Sequence, residues 1–246
     1  MAAEQKGDNV YNLSPSKINL LKECPRCFYD ANISKISRPR GIFPSLPGGM
    51  DLIFKTYYDS LRGVDIPMEL KAQIPEGWEL YNNAEVINKW RNWRTGLSYT
   101  DINLGVTLIG ALDECLYNPS LGLYAPLDYK TKGSEPKDDG SQYYQNQINF
   151  YGLLLSKNGY EIADFAFLAY YYPMRHSKQL SDEPSSKNFT FGCRVFKIAC
   201  SVEGALALLT KAVDCLNGQR PESSPACEQC SYVEKIVSLK KGAQKK

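Results

Sequence analysis

The chain has no apolar run near the ~20 residues that a membrane-spanning helix needs. Its opening stretch, Met1 to Asn9, is polar and lacks the apolar core of a signal peptide. A membrane protein is therefore not expected, and a cytoplasmic address follows by default. Charge of one sign is also missing. Lys and Arg number 29 and Asp and Glu 27, a formal net charge of +2. The chain is not a polycation, so any nucleic-acid contact must come from local patches. There is no internal repeat and no helicase motif, so any motor would be a partner. Histidine is almost absent; the single one, His176, lies in a polar stretch.

What is present is ordinary for a globular protein. The 246 residues are 43% hydrophobic and 23% charged. That length suits one domain with a sizeable core, with or without decoration. The expected organisation is a flexible N-terminus (1–10), one domain (11–238) and a basic flexible tail (239–246) with Lys240, Lys241, Lys245 and Lys246. Eight cysteines in a cytoplasmic chain should be reduced or metal-bound rather than paired as disulfides. Lys22, Arg26, Lys35, Arg38 and Arg40 form a basic patch, readable as a DNA-binding surface or as plain solvated surface.

Periodicity predicts the elements. Ser14 can cap a helix whose first position suits Pro15, and Pro25 interrupts it after Cys24. Gly41 to Gly49 reads as a loop. Met50 to Arg62 and Ala84 to Arg94 have helical spacing. Residues 63–82 are ambiguous. Val106–Tyr117 and Leu123–Lys130 read as strands joined by the turn Asn118-Pro119-Ser120-Leu121-Gly122. A helix follows at Gln142–Leu155, then a strand buried on both faces at Phe165–Tyr172. Met174–Asn188 is a polar loop, Phe191–Ser201 a strand and Val202–Asn217 an amphipathic helix stopped by Gly218. The order predicts a layered α/β or α+β domain.

The hairpin carries the chemistry. Side chains alternate across a strand, so Asp128 and Lys130 share a face. If the loop is the four residues 119–122, Asn118 pairs with Leu123, and counting back sets Asp113 opposite Asp128. Directly opposed side chains have Cβ atoms roughly 4.5–5.5 Å apart. Two facing carboxylates repel, and something must offset that. A shared proton with one raised pKa would do so; so would a divalent cation, since Mg²⁺ is commonly held by one or two carboxylates. Lys130 could then orient water or stabilise charge on a phosphate. Two unrelated strand-end aspartates beside a surface lysine fit the same pattern.

Gly110-Ala-Leu-Asp113 followed by Leu127-Asp128-Tyr129-Lys130-Thr131 resembles the signature of the PD-(D/E)XK nuclease superfamily, nearest its RecB-type and CRISPR-associated exonuclease branch. Gln147 and Tyr151, four apart on one helix face, and the segment from Leu13-Ser-Pro-Ser-Lys17 to Cys24-Pro-Arg-Cys27-Phe28 are similar to that branch as well. The resemblance implies an α/β fold, a restriction-endonuclease-like core with a mixed central β-sheet flanked by helices. It implies a nuclease in which Asp113, Asp128 and the Tyr129 carbonyl hold Mg²⁺ or Mn²⁺, Lys130 serves the water, and Gln147 and Tyr151 touch DNA or brace the metal. Relatives usually carry a histidine near the stretch that here is Gly48-Gly49-Met50-Asp51; Asp51 is the candidate substitute ligand.

Cys24-Pro-Arg-Cys27 and Cys227-Glu-Gln-Cys230 are two C-x-x-C pairs far apart in sequence. Such a set suits an iron–sulfur cluster or Zn²⁺, or is four free thiols. Members of the resembled branch hold a [4Fe–4S] cluster with one N-terminal and three C-terminal cysteines; here Cys27 would supply a missing ligand. Cys115, Cys193, Cys200 and Cys215 read as small core residues. The leading expectation is a metal-dependent deoxyribonuclease of repair, recombination or defence, partnered by DNA and by a helicase or recombination protein. A DNA-binding or assembly module that kept the fold and lost catalysis is the alternative, and a zinc-clipped interaction domain a third.

Overall fold

The structure is a computed structural model that describes residues 10–39, 41, 45–174 and 190–243. Arg40, His176 and nearly all of the polar loop expected at 174–188 lie outside the described residues. In chain order the strands and α-helices are β1 (Tyr11–Leu13), α1 (Pro15–Glu23), α2 (Pro25–Tyr29), α3 (Ser45–Leu61), β2 (Glu79–Leu80), α4 (Ala84–Trp90), β3 (Leu97–Asp101), β4 (Val106–Gly110), β5 (Glu114–Asn118), β6 (Leu123–Thr131), α5 (Gln145–Lys157), β7 (Phe165–Pro173), β8 (Phe191–Ala199), α6 (Val202–Asn217) and α7 (Glu228–Ala243). No helix among the described residues is long and apolar enough to cross a membrane.

The chain divides into two compact units. The first comprises residues 1–42, 100–108 and 205–246. In it the Ser14 hydroxyl accepts from the Lys17 N–H at 3.3 Å and Pro15 opens α1, as the sequence predicts. β1 runs parallel to Val106–Leu108 of β4. Four buried cysteines, with Leu20 against them, form a cluster of their own. Residues 239–243, expected within a tail, continue α7.

The second unit comprises residues 43–99 and 109–204. Its five-stranded sheet has the order β2-β5-β6-β7-β8. Only the β6–β7 pairing is parallel. A parallel pair needs a crossover, and α5 supplies it. The result is the expected α/β fold with a mixed sheet flanked by helices. On one face Leu127 and Tyr129 of β6 and Phe167, Ala169 and Tyr171 of β7 meet Phe54 and Tyr58 of α3. Phe54 stacks on Tyr171 with ring centroids 4.2 Å apart. Alternation turns Asp128 and Lys130 to the other face. Gly152 lets α5 approach closely: a Cβ there would lie 2.4 Å from the Cys200 sulfur.

Three expectations are corrected. The strand predicted over 106–117 is broken at 111–113, because the Leu112 N–H donates to the Trp90 carbonyl (3.0 Å) and Arg91 Nε to the Asp113 carbonyl (2.8 Å). The end of α4 therefore takes the backbone groups that a sheet would use. The loop predicted over 41–49 gives way to helix at Ser45, so Gly48 and Gly49 sit inside α3. The helix predicted to Arg94 ends at Trp90.

Candidate active site

The hairpin has the register expected of a four-residue loop: Asn118 pairs with Leu123 and Glu114 with Leu127. One step further brings Asp113, just outside β5, to the level of Asp128. Asp128 is fully buried. Lys130 Nζ donates to its Oδ1 at 2.9 Å and lies 2.6 Å from Oδ2. The same ammonium is 3.9 Å from Asp113 Oδ2. Asp128 Oδ2, close as it is to the ammonium, lies outside hydrogen-bond geometry and has no hydrogen-bond partner.

The repulsion expected between facing carboxylates is visible. Burial, then the Asp128 charge, push the Asp113 carboxyl up to about 8, against the pull of Lys130. The Lys130 ammonium is itself held up, since Asp128 and Asp113 outweigh the cost of its burial. Its Nζ sits 5.2 Å from the centre of the Tyr144 ring, a cation–π contact.

Gln147 donates through its side-chain amide to the Tyr151 hydroxyl, so the two residues singled out on α5 engage each other. Tyr151 is buried, and burial followed by the Asp128 and Asp113 charges pushes its phenol up. The Tyr129 side chain lies on the α3 face, with its hydroxyl buried and unpartnered. Asp51 is not gathered into the carboxylate pair. It bonds Lys55 at 2.6 Å one turn along α3, and its charge adds less to the rise of Asp113 than burial and Asp128 do.

Beside the pair lies a network that the sequence reading missed. Glu114, fully buried, receives Arg62 at 2.6 and 3.1 Å and Arg91 at 3.0 Å, and its Oε1 also accepts the Cys115 N–H. Both arginines also pair with Asp59 at 2.8 Å. Since Arg91 also holds the Asp113 carbonyl, this network fixes the backbone that presents the first aspartate. The one local signal was an acid two residues before the buried Leu116 on the same face of β5, which names none of its partners.

In the other unit Cys24, Cys27, Cys227 and Cys230 come together, their sulfurs all within 4.8 Å of one another. The basic patch is less free than its sequence implied. Arg26 pairs with Glu222 (2.6 Å) and Glu234 (2.7 Å), Arg38 with Glu23 (2.6 Å), and Lys35 Nζ donates to the Asn32 carbonyl. A phosphate at Arg26 or Arg38 would compete with the chain's own exposed carboxylates.

No curated protein matches the chain. The model of the PD-(D/E)XK nuclease superfamily matches residues 62–234, a span that takes in both aspartates, the lysine two residues after the second, and the C-terminal cysteine pair. On that match the chain belongs to the PD-(D/E)XK nuclease superfamily.

Proposed function

We propose that the chain hydrolyses DNA phosphodiester bonds with a divalent cation, Mg²⁺ or Mn²⁺, held by Asp113 and Asp128. The observation that supports this most is the convergence of two carboxylates and one ammonium where Asp128 Oδ2 is buried without a hydrogen bond. Hard oxygen donors of this kind suit Mg²⁺. When bound, such a cation polarises the phosphate and makes water a better nucleophile. The chain's own groups do the rest. The Tyr129 carbonyl offers a third oxygen. Lys130 orients water or meets charge developing on the phosphate, with the Tyr144 ring keeping its ammonium in place. The mutual bond of Gln147 and Tyr151 favours a bracing role over direct contact with DNA. Asp51, tied to Lys55, is the weakest of the proposed ligands.

The test is cleavage of labelled single- and double-stranded DNA with Mg²⁺, Mn²⁺ or EDTA, beside Lys130→Ala. Cutting should require the divalent cation and fall by at least ~10²-fold in the variant. Well-folded wild-type protein that cuts nothing with any metal would leave the binding module, which the missing histidine favours, as the reading that stands.

The same site sets a pH dependence. The folded-state pKa of Asp113 is raised, to about 8, above its ordinary value of 3.8. Its contribution to stability is thus fully present below the unfolded value and lost as pH rises through the folded one. A divalent cation competes with that proton. Without divalent cation, the melting midpoint should fall as pH rises from about 6 to 9, and Mg²⁺ should raise it more at the upper end. A Mg²⁺ increment that stays flat or shrinks with pH, read by thermal melts with and without EDTA, contradicts this.

A further inference from the structure

The four cysteine sulfurs are placed closely enough to decide between two kinds of metal centre. Cys24 and Cys230 sulfurs are 3.8 Å apart, and Cys27 is 3.6 Å from both Cys227 and Cys230. All four lie within 4.8 Å of one another. A single ion with tetrahedral thiolates at ~2.3 Å sets its sulfurs about 3.8 Å apart along every edge. In a [4Fe–4S] cluster each thiolate binds a different iron, so the sulfurs are held apart by the cluster's width, roughly 6 Å. A two-iron cluster likewise spreads its cysteine pairs across both irons. The spacing here, at most 4.8 Å for every pair, is closer to that of a single ion than to that of a multi-iron core.

We propose that Cys24, Cys27, Cys227 and Cys230 hold one Zn²⁺ ion in a closed tetrathiolate site, in place of the iron–sulfur cluster that the resemblance implies. Four soft sulfurs in tetrahedral array suit zinc. A single iron in the same array, which would hold no labile sulfide but would be coloured and redox-active, is the outcome the colour and metal content must exclude. All four residues are buried, so the fourth position is taken by sulfur and none is left for water. That makes the ion structural rather than catalytic. Four thiolates around a divalent ion carry a net negative charge inside the protein. The Arg38 guanidinium meets it, with Nη2 3.4 Å from the Cys227 sulfur. This gives Arg38 a purpose apart from phosphate binding. The ion would join α1 and α2 to the start of α7 within the first unit, and, having no redox chemistry, would tolerate air.

The test is metal and acid-labile sulfide analysis of wild-type protein purified anaerobically from medium supplied with iron and zinc. It measures no cleavage, so its outcome is separate from that of the nuclease reading. The expected result is one zinc per chain, no labile sulfide and a colourless protein. Strong chelation should release the zinc and expose four thiols to a thiol reagent, and Co²⁺ put in its place should show the visible bands of a tetrahedral thiolate site. Stoichiometric iron, with or without labile sulfide, overturns the proposal, as does a folded, metal-free protein whose four thiols react without chelator.

Discussion

Asp128→Asn should lower divalent-dependent cleavage on the order of a thousandfold or more, and of the single substitutions in the active site it should cost the most. The residue is fully buried on β6, paired there with Leu168 of β7 and next to the end of the β5 ladder at Leu127, so the backbone has little freedom to bring another oxygen to its place. The amide keeps shape and volume, so the fold should persist. A second effect separates loss of chemistry from loss of structure. The Asp128 charge is the second-largest cause of the raised Asp113 carboxyl. In the variant the Asp113 titration should move down from about 8 toward the ordinary carboxylate range, staying above it because burial remains. Carboxyl-carbon NMR titration reads this directly. A variant that cuts DNA at the wild-type rate, or in which Asp113 does not move, would refute the shared site.

Glu114→Ala should unfold the second unit far more readily, costing about 3–5 kcal/mol. The carboxylate is fully buried and two guanidiniums, 4% and 7% exposed, converge on it. Removing it leaves Arg62 and Arg91 with Asp59, which is 42% exposed, as their one remaining carboxylate partner among the described residues. The charge left behind, more than the lost attraction, sets the cost. Replacing the pair together, Arg62→Met with Glu114→Met, should therefore destabilise less than Glu114→Ala alone, because no extra buried charge remains. Denaturant melts of the three proteins decide it; a double variant less stable than Glu114→Ala would show that the pairing itself stabilises. Cation affinity should weaken in Glu114→Ala as well, since Arg91 also holds the Asp113 carbonyl.

How much of this could be read beforehand differs by element. The hairpin register was legible because loop length alone determines pairing, and Asn118 opposite Leu123 followed from four loop residues. The span of α6 was legible from its apolar stripe and its stop at Gly218. The break at 111–113 was not. It depends on carbonyl and guanidinium partners at Trp90 and Arg91, which no local pattern announces. α7 escaped notice beyond its cysteines because its apolar residues, Tyr232, Val233, Ile236 and Val237, remain exposed rather than packed in a core. The two aspartates and the lysine were found by spacing. Their neighbour Glu114 was not, because its partners Arg62 and Arg91 lie 52 and 23 residues away.

The Cys27 and Cys230 sulfurs meet across 203 residues of sequence. At a synthesis rate of 5–20 residues per second, the N-terminal pair leaves the ribosome about 10–40 s before its counterpart. Every residue of the second unit, which ends at 204, is made within that interval. The second unit can thus finish folding while Cys24 and Cys27 still stand as an incomplete half-site, open to any thiophilic metal or oxidant nearby. Completion of the cysteine site therefore follows synthesis of the whole second unit, and its yield should depend on how quickly the arriving C-terminal pair captures what the N-terminal pair has kept.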